Sequence, residues 1–113
     1  MSVPKPDPRR HSRILLDPQH ALRCESATPK MNGSVTVIGL GGMFVRTGSV
    51  PPFGAVLQLR VHNSVIFEAG CTVRSVSKNG VGVEFTAMAR AEEEKLKNLL
   101  LHLRPARGPQ RAN

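Results

Sequence analysis

Three arginines fall within Arg9-Arg10-His11-Ser12-Arg13, the first and last of them four positions apart. A guanidinium presents a planar fork of N–H donors that engages two phosphate oxygens together, and the same fork matches O6 and N7 of guanine. Arginines this close suit a ligand that carries both groups; the plain alternative for such a run is a solvated basic tail. A second stretch, Gly39-Leu40-Gly41-Gly42, lets backbone approach a ligand closely because glycine places no Cβ in the way. Met43-Phe44-Val45-Arg46 follows it and reads as strand, which excludes a dinucleotide fingerprint, where a helix N-terminus must receive the pyrophosphate. A β-turn is the expectation there.

Elsewhere no nucleophile stands with a base and an orienting group at a recognisable spacing, and no Gly-rich loop opens a helix as a phosphate cradle. Catalysis is therefore not expected. His11, His20, His62 and His102 are scattered and read as surface or strand-face residues. Cys24 and Cys71 lie far apart with no Cys or His at metal-ligand spacing, which argues for core thiols and against a zinc site or a disulfide. Neither a metal nor a resident cofactor is expected. Sixteen Lys and Arg against eight Asp and Glu give a net charge of +8, so the partner should be anionic. Four Phe with no Trp or Tyr leave few platforms for stacked bases, which argues against nucleic acid. No apolar run approaches the ~20 residues that span a bilayer, and residues 1–8 hold no hydrophobic stretch to act as a secretory signal. Membrane insertion is not expected, and the chain reads as soluble and cytoplasmic.

The elements that must position these residues are mostly strands. With 113 residues there is room for one small domain. Short runs rich in β-branched residues, punctuated by Gly, Pro and Asn, predict strands near 20–26, 34–38, 43–46, 55–62, 65–76 and 81–85. Pro29-Lys30-Met31-Asn32-Gly33 reads as a turn, Gly70 as a bulge or bend, and Asn79-Gly80 as a type I′ hairpin turn, whose two central residues need positive φ. Six short strands leave exposed edges unless the sheet closes, so a small antiparallel barrel is the economical arrangement. A helix over about 89–103 carries Leu96, Leu99, Leu100 and Leu103 on one stripe, opens on a solvated Glu92-Glu93-Glu94 and stops at Pro105. It is placed to cover one opening. Residues 1–8 and 105–113 have nothing to bury and read as flexible tails around a domain of residues 9–104.

Arg9-Arg10-His11-Ser12-Arg13 resembles the RxxxR motif of PilZ domains. Val35-Thr36-Val37-Ile38-Gly39-Leu40-Gly41-Gly42-Met43-Phe44-Val45 resembles their second motif region, and Gly80-Val81-Gly82-Val83-Glu84-Phe85 their late strand. The resemblance runs from Arg9 to about Leu103 and rests on several segments in the right order. It implies a six-stranded antiparallel PilZ-type β-barrel with a C-terminal α-helix, and a role in binding the bacterial second messenger cyclic di-GMP.

Carried over by position, the resemblance makes Arg9 and Arg13 the two motif arginines, expected on ligand phosphates and guanine edges, with Arg10 an adjacent supporting cation. The second pattern, [D/N]xSxxG, falls on Val37, Gly39 and Gly42; only Gly42 agrees, since Val37 offers no acceptor and Gly39 no hydroxyl. Hydrogen bonds to charged partners contribute ~1.5–3 kcal/mol each, so two lost contacts amount to ~3–6 kcal/mol if they add. Peptide N–H groups of Gly39, Gly41 and Gly42 could still approach a phosphate. Two readings stand. In one the chain is a cyclic di-GMP receptor whose arginine arm closes on the barrel and presents a surface to a protein effector. In the other it is a degenerate PilZ domain that does not bind the nucleotide and acts as a protein–protein adaptor.

Overall fold

In the stretch Val56–His62 the side chains of Leu57, Leu59 and Val61 are sealed from solvent while Gln58 and Arg60 face it. That is the period-two pattern of a strand with one buried face. The computed structural model describes residues 13–17, 22–28, 30–62 and 66–103. Among them run β1 (Arg13–Leu15), β2 (Leu22–Ala27), β3 (Lys30–Gly39), β4 (Gly42–Arg46), β5 (Val56–His62), β6 (Phe67–Ser77), β7 (Gly80–Ala87) and α1 (Arg90–His102). The two predicted tails, with Arg9 and Arg10 beside the first of them, lie outside the described residues.

Strands β2 to β7 close into a six-stranded antiparallel barrel: β3 pairs with β2, β2 with β5, β5 with β6, β6 with β7, β7 with β4, and β4 with β3. Closure leaves no long unpaired edge. Inward residues from every strand of the ring meet in one core, with Val35, Val45, Leu59, Val61, Phe67, Cys71, Val73 and Val81 fully buried. Phe67 meets Phe85 edge to face, with centroids 6.2 Å apart. Leu96 and Leu99 of α1 join the same core and Leu100 and Leu103 pack against it, so the leucine stripe fastens the helix to the barrel. Burying each such side chain stabilises by about 1.5–3 kcal/mol.

A seventh strand, β1 at Arg13–Leu15, precedes the six predicted from the sequence. It pairs with Val37 to Gly39, the half of β3 that β2 leaves free. A bulge makes this possible. Thr36 is the extra residue between the Val35–Val45 and Val37–Phe44 pairs, and its carbonyl accepts the Leu16 N–H at 2.8 Å.

Two expected turns shift. β3 already begins at Lys30, paired with Ala27, so Met31-Asn32-Gly33 is strand and not turn. Gly33 is there for close packing: a Cβ on it would run into the Arg46 carbonyl of β4. The hairpin near Asn79-Gly80 exists, but Ser77 pairs with Gly80, the turn residues are Lys78 and Asn79, and no residue other than Gly54 among those described has positive φ. The turn is therefore not type I′. The Ser77 hydroxyl holds it instead, accepting the Asn79 N–H at 3.3 Å and donating to the Gly80 carbonyl at 3.2 Å. Gly70 does mark a bulge, where the β6–β7 register shifts.

The glutamate triplet also does more than face solvent. Glu92 Oε1 accepts the Glu68 N–H of β6 at 2.9 Å and Oε2 pairs with Lys95 at 3.2 Å. The Glu68 N–H and then Lys95 hold the Glu92 carboxyl below its usual range. The first turn of α1 is thereby tied to the barrel.

Candidate functional site

The outward faces of β3, β4, β6 and β7, together with β1, enclose an open cavity of about 800 Å³. Gly39, Gly41, Gly42 and Gly82 all line it, and the half-buried ring of Phe44 lies among them. At Gly42 a Cβ would strike the Val83 carbonyl, and at Gly82 it would come 2.5 Å from the Ser75 hydroxyl. The glycine turn is bound to the neighbouring strand by the Phe85 N–H, which donates to the Gly41 carbonyl at 2.9 Å. Phe44 and Phe85 both line the cavity, and an aromatic side chain beside glycines offers a surface on which a flat ring can lie.

Cations stand at the rim. Arg13 is exposed on β1, and the pairing register sets it directly opposite Gly39. Arg74 of β6 also lines the cavity, and its Nε donates to Glu84 Oε1 of β7 at 2.7 Å. Both partners of this ion pair are about half exposed, so it contributes little to stability, about 0–1 kcal/mol. Its effect is on orientation: the bond engages Nε and leaves the terminal nitrogens of Arg74 outside it. The site thus combines two guanidinium groups with one carboxylate around an uncharged floor.

Four of the residues singled out from the sequence, Arg13, Gly39, Gly41 and Gly42, line this one cavity. Arg9 and Arg10 lie outside the described residues. Val37 lines the cavity too and brings a half-buried isopropyl group with no hydrogen-bonding atom. Sequence reading missed Phe44, Arg74, Ser75, Gly82 and Glu84 as site residues. Phe44, Gly82 and Glu84 sit at outward positions of segments already recognised as motif-bearing, which is a usable signal. Arg74 has none, because a charged residue at an outward strand position looks like ordinary solvated surface.

The other chemistry-bearing residues are elsewhere. Burial, and then Glu25 for Cys24 and Cys24 for Cys71, pushes both thiols up to about 12, so neither is a nucleophile at neutral pH. His62 Nε2 lies 3.0 Å from Glu25 Oε2, and His102 Nδ1 2.7 Å from the Asn98 carbonyl; neither lines the cavity. Among the described residues no cluster of His, Cys, Asp and Glu could hold a metal, and no helix is long and apolar enough to cross a membrane. A second depression of about 660 Å³ beside β2, β3, β5 and β6 is lined by Lys30 and by charges that pair, Arg60 with Glu68 at 2.7 Å and Glu25 with His62.

A family model described as the PilZ domain matches residues 7–102. The structure described as the PilZ domain with c-di-GMP of YcgR from Escherichia coli is similar, with a TM-score of 0.72 at 18% identity, over 86% of this chain and 92% of that one. YcgR in complex with c-di-GMP from Escherichia coli gives a TM-score of 0.67 at 18% identity, over 84% of this chain and 45% of that one. At these identities the likeness speaks to the fold. No curated protein matches by sequence.

Proposed function

Given that this chain belongs to the PilZ domain family, we propose that it is a cyclic di-GMP receptor module that acts in the bacterial cytoplasm and signals through a protein effector. The observation that carries this reading is the convergence of Arg13 with Gly39, Gly41 and Gly42 in one cavity. A bis-guanylate offers phosphates to the rim cations and flat purines to the glycine and Phe44 floor. Arg9 and Arg10, close before Arg13 in the chain, are further cations for the phosphates. Ligand binding neutralises these cations and changes the surface offered to the effector. Binding, not bond breaking, is the activity.

The test is a titration with cyclic di-GMP followed by backbone amide shifts, with GMP and GTP as controls. Saturable shifts at Arg13 and at residues 39–42 are expected. Absence of any saturable shift up to ~1 mM, weaker than about −4 kcal/mol, would overturn the receptor reading.

One observation favours the adaptor alternative. Val37 projects no acceptor into the cavity and Gly39 no hydroxyl, so the face on which a guanine would be read is poorer than the family's pattern. Under that reading the barrel persists as a protein-binding scaffold. Val37→Asp together with Gly39→Ser should then create nucleotide binding that the unmodified chain lacks.

A further inference from the structure

The cavity contains one carboxylate among the described residues that line it, Glu84, and its position is specific. In the β4–β7 pairing Glu84 lies opposite Gly42, which has no side chain to screen it from the floor. Its side chain is about half exposed, and Oε1 is oriented by Arg74 Nε at 2.7 Å. A carboxylate at the edge of an anion-binding site is costly in itself, because it repels the phosphates that the rim cations attract. The bond from Arg74 Nε ends on Oε1, which leaves the carboxylate able to accept from a ligand donor as well.

Guanine has such donors. Its N1–H and exocyclic N2–H are adjacent donors, and an ionised carboxylate is an acceptor-only fork that takes both together. Adenine presents a lone pair at N1 and therefore faces the same carboxylate with repulsion. Val37, the position at which the resemblance calls for an acidic or amide side chain, supplies no acceptor. We infer that Glu84 reads the Watson–Crick edge of a bound guanine in this cavity, with Arg74 as the positioning residue that aims its carboxylate. This rests on the receptor reading and deepens it by assigning base selectivity to a residue of β7.

The experiment compares the unmodified chain with Glu84→Gln by calorimetry against cyclic di-GMP and cyclic di-AMP. Glu84→Gln removes the charge and keeps the shape. If Glu84 reads guanine, the substitution weakens cyclic di-GMP binding roughly ten- to a hundredfold and narrows discrimination against cyclic di-AMP. A bystander carboxylate gives the opposite sign, because deleting a negative charge beside a phosphate site strengthens binding of any anion; equal or tighter cyclic di-GMP binding therefore overturns the inference and leaves the receptor reading intact. Arg74→Gln also removes a rim cation and so weakens binding of both nucleotides; loss of aim shows as a narrowed discrimination between cyclic di-GMP and cyclic di-AMP, which loss of the cation alone leaves unchanged. Failure of the unmodified chain to bind cyclic di-GMP overturns the receptor reading itself, and this assignment with it. The ion pair is half exposed, so thermal unfolding of both variants should match the unmodified chain and exclude misfolding as the cause.

Discussion

Arg13 and Gly39 face each other as a cross-strand pair of β1 and β3. Two residues that lie far apart in the chain, each singled out on different chemical grounds, become nearest neighbours across a ladder. Because Gly39 has no side chain, nothing at that position stands between the guanidinium of Arg13 and the cavity floor. The bulge at Thr36 and its bond to Leu16 hold β1 in this register.

Arg13→Ala should leave the fold intact, since Arg13 is exposed, and weaken cyclic di-GMP binding. Loss of hydrogen bonds to a phosphate costs about 1.5–3 kcal/mol, or roughly ten- to a hundredfold in Kd. Calorimetry on the variant checks this, and an unchanged Kd would remove Arg13 from the site.

Gly42→Ala places a methyl group against the Val83 carbonyl where β4 pairs with β7. Overpacking of this kind costs about 1–3 kcal/mol. Urea unfolding should show a lower midpoint with the slope unchanged; a midpoint equal to that of the unmodified chain would mean that the strands separate without cost.

The two buried thiols make stability depend on alkaline pH. Burial raises both from the ordinary 9.0 to about 12. The folded state therefore keeps its thiol protons in a range where the unfolded chain has lost them. Their contribution is complete below pH 9 and falls progressively as pH rises toward 12. Urea unfolding at a series of pH values should show this decline, and the double variant Cys24→Ala, Cys71→Ala should show a shallower one. Parallel slopes for the two proteins would contradict the assignment.

Leu96 is fully buried and Leu101 is 78% exposed, although both lie on α1. Leu96→Ala should cost about 2–5 kcal/mol and Leu101→Ala no more than about 0.5 kcal/mol. Thermal unfolding of the two variants distinguishes them, and comparable losses would show that the helix packs by a different face.

Much of the fold is legible along the chain because its cause is local. Alternation in 55–62 places Leu57, Leu59 and Val61 inward whatever lies beyond them, and the leucine spacing of α1 forces one stripe onto the core. Glycine is where local reading misjudges. Gly33 and Gly80 look like turn residues, yet each sits in a strand paired with β4 and close against its backbone, a fact of sheet pairing that no neighbouring residue records.

For the site the division is sharper. Residue type and spacing determined that the arginine cluster suits a ligand bearing phosphate and guanine; the resemblance to PilZ domains joined the glycine turn to it and marked Val37 as a departure from the expected acceptor. Only the tertiary structure decided what stands on the far side. Arg74 and Glu84 come from β6 and β7, which reach the cavity because the barrel closes through β4 and because bulges set the register between strands. Pairing register and closure are properties of the whole sheet, satisfied by the packing of its inward faces, so the outward residues that come to share a cavity carry no mark of it in their own segments.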